Sequence, residues 1–269
     1  MNLSPVNIRK LVKRAIMFSG GGHAGGSLSM AEILCSLYGE VMVHDPKNPQ
    51  LQNRDRLILS KGHSGLGLYA ALALCGYFPV EDLDKFGTDE GYLMNHPSAY
   101  NTPGVEMSTG SLGHGLPISC GIALSAKMRD EKHFVYCILG DAELQEGTVW
   151  EAAMMASQYK LKRLVAIVDR NKIGNDSLID GIVSVEPLTD KWKSFGWKVY
   201  EADGHNQEEI TKCLKEIKQQ ANGPYVVIAH TIKGKGLVEG VAGTGRSHYI
   251  KGSPALIADL FEPLPIESE

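Results

Sequence analysis

What this sequence has little of narrows its possible roles first. Its five cysteines (Cys35, Cys75, Cys120, Cys137 and Cys213) are odd in number, scattered, and never form a C-x-x-C pair. A disulfide framework is therefore not expected, and buried reduced thiols fit a cytoplasmic compartment. No block of Lys or Arg interrupts the mixed charges, and the formal net charge is −4, which argues against a nucleic-acid surface. The opening MNLSPVNIRKLVKRAIMFSG spreads basic residues through an amphipathic pattern and lacks a distinct apolar segment. It reads as neither a signal peptide nor a membrane span. Repeats, low-complexity tracts and an obvious linker are missing as well, so residues 1–269 are taken as one domain.

What is present suits a soluble α/β protein. Apolar residues make up 43% and charged residues 22% of the chain, enough for a sizeable core. Residues 5 to 18 suit a helix, with Ser4 as N-cap, Pro5 in the first turn and Gly20 to Gly22 as the stop. Further helical patterns cover residues 30–38, 66–75, 113–127, 148–158, 188–195 and 207–219. Between them lie short apolar runs read as strands: 56–60, 134–139, 164–168, 197–202 and 225–229. Strands alternating with helices indicate a mainly parallel sheet with helices on both faces. Such sheets bind ligands in the loops at the carboxyl ends of their strands. The segment from Gly234 to Glu269, punctuated by Gly and Pro, is expected to be loop and periphery.

One such loop is GDAELQEG (140–147), which places Asp141, Glu143 and Glu146 between a strand and a helix. The next strand runs into DRNKIGND, with Asn171 thirty positions after Asp141. One helix plus one strand fills that interval, so both residues fall at neighbouring strand ends. A carboxylate, an amide oxygen and a backbone carbonyl are hard ligands suited to Mg²⁺ or Ca²⁺. The residues alone leave a second reading open, in which Asp141 caps a helix and Asn171 forms an Asx-turn.

A Gly-Asp turn, a helix, a strand and then Asn resembles the thiamine diphosphate motif. The resemblance sharpens to the transketolase family through successive blocks in order: GHAGGSLSMAEIL (22–34), NRDRLILSKGHSGLGLYAAL (53–72), NHP (95–97), GVEMSTGSLGHGLPISCGIAL (104–124), GDAELQEGTVWEAA (140–153), DRNKIGND (169–176), DGH (203–205) and TIKGKG (231–236). It implies a three-layer α/β/α fold that binds thiamine diphosphate through Mg²⁺, with Ca²⁺ or Mn²⁺ as substitutes, and transfers a two-carbon ketol unit from a ketose to an aldose. It further implies that Asp141, Asn171 and the carbonyl of Ile173 hold the metal. His63 would contact the diphosphate, Gly140 would lie against the cofactor, and Gly110 and Leu112 would flank its rings. His23, His96 and His248 would contact sugar oxygens and move protons, and Glu146 would join a link between two active sites. His114 could serve the cofactor or the fold. His44, His133, His205 and His230 are read as structural, and Glu143 as a solvated or capping acid; Lys233 and Lys235 could meet phosphate or water, and the second is the reading taken.

Two departures from the family pattern stand out. Ala142 replaces the usual third-position Gly, whose missing Cβ would let the backbone approach phosphate or take a positive φ; weaker cofactor binding is the expected consequence. The pyrimidine-binding and C-terminal domains have no counterpart in these 269 residues. The resemblance therefore implies a separate partner subunit carrying them, in an α2β2 heterotetramer. The alternatives are an unusual-sugar transketolase, another carbon–carbon enzyme of the class such as a deoxyxylulose phosphate synthase, or a non-catalytic cofactor-binding subunit.

Overall fold

In the computed structural model, which describes residues 1–263, the chain opens as its capping residues require. Ser4 Oγ accepts from the Asn7 N–H at 3.2 Å, Pro5 occupies the first turn, and Gly20 at φ 74° ends α1 (Pro5–Ser19). In chain order follow β1 (Gly21–Gly22), α2 (Ala24–Ser29), α3 (Ala31–Ser36), β2 (Arg56–Leu59), α4 (Gly65–Cys75), α5 (Gly115–Met128) and β3 (Val135–Gly140). Next come α6 (Gly147–Gln158), β4 (Leu164–Arg170), α7 (Leu188–Ser194), β5 (Lys198–Asp203), α8 (Gln207–Gln220), β6 (Tyr225–His230), β7 (Ile250–Lys251) and α9 (Pro254–Asp259).

Five strands form one parallel sheet in the order β2-β3-β4-β6-β5. Side chains alternate across it with period two. Tyr136, Ile138, Val165, Ile167, Val227 and Ala229 face the layer of α1 to α4 and α8. Val135, Cys137, Leu139, Ala166, Val168 and Ile228 face α5 to α7. Burial on both faces explains why these strands read as unbroken apolar runs. Truncating Ile167, fully buried at the sheet centre, to Ala should cost about 2–5 kcal/mol.

Right-handed crossovers place α6, between β3 and β4, on one face and α8, between β5 and β6, on the other. The strand order reverses beside β4, the place where sheets of this kind bind ligands at the carboxyl ends. The loops of the site all come from this end.

The segment after Gly234 departs from the expectation of periphery. Leu237, Val241, Ile250, Ile257 and Phe261 are buried in the core, and β7 pairs antiparallel with β1. Apolar residues set singly among Gly and Pro carry no period, so the pattern hid their burial. Residues 264–269 of that segment lie outside the described residues. Helix α2, six residues with two glycines, was hidden for a similar reason. Among the described residues no helix is long and apolar enough to cross a membrane, and no disulfide joins any of the five cysteines.

Candidate functional site

At the end of β3 the Asp141 carboxylate is pinned by three donors. Oδ1 accepts from the Ala142 N–H at 2.8 Å, and Oδ2 accepts from Arg170 Nη1 at 3.0 Å and the Lys172 N–H at 2.5 Å. Burial, with the nearby Asp169 charge, pushes its pKa up to about 6 against the pull of those donors. Across the β3–β4 crevice, Asn171 Nδ2 donates to Asp169 Oδ2 at 3.1 Å, while its Oδ1 accepts from the Ile173 N–H at 3.2 Å. Asp169 thus turns the amide so that nitrogen faces inward and oxygen faces the loop.

Asp169 is itself a fully buried hub. It accepts from the Lys61 ammonium, from the Thr231 hydroxyl and from Ser29 Oγ at 2.7 Å. Burial alone would raise this carboxyl, but Lys61, Ser29 and Thr231 together hold it below its ordinary value. Lys61 Nζ also donates to the Gly26 carbonyl at 2.9 Å, so one ion pair ties together α2, the end of β2 and the end of β4.

Glu143 corrects the expectation of a solvated or capping acid. It is 2% exposed and accepts from the Gly113 N–H at 2.8 Å, the Gly140 N–H at 3.0 Å and the Ser60 hydroxyl. It joins the strand end to the 109–113 loop. Burial raises its pKa against those three donors. The loop lies close enough to β2 that a Cβ on Gly62 would stand 2.6 Å from the Gly110 nitrogen, a position only glycine fits. Ala142 opens a 3₁₀ turn, Ala142–Gln145, and is not among the residues with positive φ. The conformational argument for Gly at that position therefore does not apply.

Between these loops is a cavity of about 290 Å³, lined by His63, Gly110, Leu112, Gly140, Asp141, Ala142, Asn171, Ile173, Lys233 and His248 among others. Lys233, read from the sequence as facing water, is 4% exposed. Its ammonium donates to the Ile173 carbonyl at 3.3 Å, to His248 Nδ1 at 3.0 Å and to the Gly174 carbonyl. Burial and the Lys61 charge lower its pKa to about 8. Lys235 is exposed, as expected.

Four imidazoles gather beside the cavity. The His23 ring lies 5.6 Å from His63, 6.3 Å from His96 and 5.2 Å from His248, and His63 lies 5.5 Å from His248. His23 comes from the start of α2, His63 from the turn after β2, His96 from a loop, and His248 from the segment that the β1–β7 pair draws in. Burial and neighbouring Lys61 bring His63 down to about 2. Burial and Lys233 bring His248 down to about 4. His23 is lowered by burial, His96 and Lys233. A neutral imidazole offers one donor and one acceptor, which suits hydroxyl chemistry. His23 Nδ1 is buried with no hydrogen-bond partner.

Other residues stand apart. Glu146 is exposed at the N-terminal boundary of α6, outside the cavity. His114 is exposed, with Nδ1 on the Leu112 carbonyl at 3.0 Å. His44, His205 and His230 bond to Tyr77, Glu32 and Glu201 respectively. Among the described residues no group of three His, Cys, Asp or Glu side chains comes together as a metal site. A cation between Asp141 and Asn171 would thus draw on amide and carbonyl oxygens as well as one carboxylate.

A family model described as "Transketolase, thiamine diphosphate binding domain" matches residues 3–258. A 6-deoxy-6-sulfo-D-fructose transketolase subunit of Clostridium sp. (strain MSTE9) is 46% identical over 229 residues, covering 85% of this chain and 83% of the relative. An apulose-4-phosphate transketolase subunit of Actinobacillus succinogenes is 44% identical, with 85% and 83% covered. A solved transketolase variant from Pichia stipitis superposes with a TM-score of 0.88 at 32% identity, over 95% of this chain but 39% of that one. The chain thus spans about two-fifths of that full-length enzyme and most of the two named subunits. The loops that gather Asp141, Asn171 and the histidines belong to a domain of the transketolase family, the thiamine diphosphate-binding one.

Proposed function

We propose that this chain is the N-terminal, cofactor-binding subunit of a transketolase that transfers a two-carbon ketol unit from a ketose to an aldose. The observation that carries the reading is the gathering of four histidines, with ring separations of 5.2 to 6.3 Å, beside the oxygens of Asp141, Asn171 and Ile173.

The residues fit thiamine diphosphate and a divalent cation. One carboxylate, one amide oxygen and one carbonyl form a hard set for Mg²⁺, or for Ca²⁺ or Mn²⁺, and leave positions for diphosphate oxygens. Lys233, already aimed at the Ile173 carbonyl, adds positive charge for the diphosphate, and His63 and Gly140 complete that end. Gly110 and Leu112 would flank the rings. The cofactor supplies the electron sink for carbon–carbon cleavage, and the protein supplies orientation and proton relays. His23, with its free Nδ1, takes or returns protons at sugar hydroxyls, and His96 and His248 hold sugar oxygens. Glu146, exposed at the boundary of α6, is assigned to a contact with another copy of the chain.

Relatives of the same span are named as subunits, which supports a partner chain carrying the pyrimidine-binding and C-terminal domains in an α2β2 assembly. Those relatives are named for a sulfonated ketose and for a sugar phosphate, which favours a sugar substrate bearing an anionic group. Five cysteines with no disulfide among them support a cytoplasmic location.

The test is to assay the purified chain with thiamine diphosphate, Mg²⁺, a ketose and an aldose while titrating in the partner. Two-carbon transfer that rises with the partner supports the reading. Full turnover before any partner is added would refute the two-chain assembly. If the pair binds cofactor but transfers nothing from sulfonated, phosphorylated or unmodified ketoses, the chain is a binding subunit.

A further inference from the structure

Asp169 and Arg170 are consecutive residues at the end of β4, and their side chains leave opposite faces of the strand. Asp169 holds the Asn171 amide. Arg170, 2% exposed, turns the other way and spans two carboxylates. Its Nη1 donates to Asp141 Oδ2 at 3.0 Å, while Nη2 and Nε donate to Glu186 Oε1 at 2.7 and 3.2 Å. Asp180 Oδ1 stands 3.8 Å from Nη2. Glu186 keeps its second oxygen on the Leu188 N–H at 2.8 Å. Its side chain is 48% exposed, and it does not line the cavity.

We infer that Arg170 is a positioning residue for the cation site, and that Glu186, outside the cavity, sets how tightly the site holds its ion. This rests on the proposed cation at Asp141 and Asn171. A planar guanidinium can satisfy acids on two edges at once. One edge locks the rotation of the Asp141 carboxylate, so that Oδ2 is engaged by Arg170 and the Lys172 N–H while Oδ1 carries only the Ala142 N–H. The other edge is held by Glu186, which anchors the fork and offsets its charge. Without that offset, a guanidinium beside the site would repel a divalent cation through a low-dielectric medium. Two neighbouring residues of one strand thus orient both side-chain ligands of the site. The 179–187 segment touches the Asp141 carboxylate through Arg170, and it meets the neighbouring loops where the Ile179 N–H donates to the Lys172 carbonyl at 3.0 Å and Gln145 Nε2 donates to the Val183 carbonyl at 2.8 Å.

The experiment follows free Mn²⁺ by electron paramagnetic resonance as it is titrated into the assembled enzyme with thiamine diphosphate present. Wild type should retain Mn²⁺; failure to do so would refute the cation site itself, separately from this inference. Glu186→Gln keeps an acceptor for Arg170 and removes the offsetting charge, together with the acceptor of the Leu188 N–H. It should raise the Mn²⁺ Kd about tenfold. Arg170→Lys should raise it about 10- to 100-fold, and the double variant should be no worse than Arg170→Lys. Thermal unfolding of the cofactor-free chain should be nearly unchanged by Glu186→Gln, whereas a merely structural ion pair would shift it and leave Mn²⁺ affinity alone. Wild-type Mn²⁺ affinity in Glu186→Gln, or additive losses in the double variant, would overturn the inference.

Discussion

The two ends of the central sheet both bury charge, and they use it in opposite ways. At the amino end, Asp55 accepts from the Val43 N–H at 2.9 Å, the Phe134 N–H at 2.7 Å and Lys218 Nζ at 2.9 Å. Its partners are all structural, and it stitches α8 and a loop to the strand starts. At the carboxyl end, Asp169 and Glu143 are just as fully engaged, but what they hold is a further tier of groups. Asp169 presents the Asn171 amide oxygen, and Glu143 fixes the strand end before Asp141. Burial of a carboxylate therefore does not mark a candidate site; a buried carboxylate that positions other polar groups around a cavity does. Histidine gives the same lesson. His133, near the amino end, is buried with neither ring nitrogen hydrogen-bonded, yet it stands apart from the four imidazoles beside the cavity.

Matched substitutions at the two ends put this contrast at risk. The largest effect is expected in turnover. His23→Ala should lower kcat of the assembled enzyme about 10²- to 10⁴-fold, as loss of one proton-transfer group does, with cofactor affinity near wild type. His133→Ala, the matched change at the amino end, should leave kcat unaltered. Equal losses from both, in a steady-state assay, would erase the distinction.

A smaller effect separates the two buried acids. Glu143→Ala leaves two N–H groups without a partner, and Asp55→Ala does the same. Each should cost about 1–3 kcal/mol in denaturant unfolding. Only Glu143→Ala should also weaken cofactor binding, because only Glu143 braces the cavity. Parallel titrations of both variants with thiamine diphosphate check this.

The smallest effect is in acid stability. His63 and His248 lie at about 2 and about 4 in the folded chain, below the ordinary 6.5. Below about pH 6.5 the unfolded chain takes up protons that the folded one refuses. Stability is therefore complete above that pH and falls progressively through about 4 and toward 2. Replacing His248 with Phe should flatten the upper part of this decline by a few degrees in Tm. A wild-type Tm that stays level from pH 7 to pH 4 would contradict it.

Much of this was legible in the sequence, and the illegible parts share a cause. The strands and long helices follow from apolar period and capping residues, and their ends fall within two residues of the expected positions. That Asp141 and Asn171 fall at neighbouring strand ends was legible through their spacing across one helix and one strand. Lys61, Glu143, Asp169, Arg170 and Lys233 were not, although each lies within two residues of His63, Asp141, Asn171 or the second Lys of KGKG. Whether a charged residue faces solvent or a crevice depends on strand alternation and on which loops fold over it, and composition does not record either. The burial of the tail is hidden for the same reason, since only the β1–β7 pairing shows that His248 reaches His23.

The central claim is that Asp141 and Asn171 hold thiamine diphosphate through a divalent cation. Equilibrium titration of thiamine diphosphate into the assembled enzyme, with Mg²⁺ and again with a chelator, tests it most directly when wild type and Asp141→Ala are compared. The expected result is saturable binding by wild type with Mg²⁺, loss of that binding with the chelator, and affinity about 100-fold weaker for Asp141→Ala with Mg²⁺, with no further loss when the chelator is added. Equal affinity with and without chelator, unchanged in Asp141→Ala, would contradict the account.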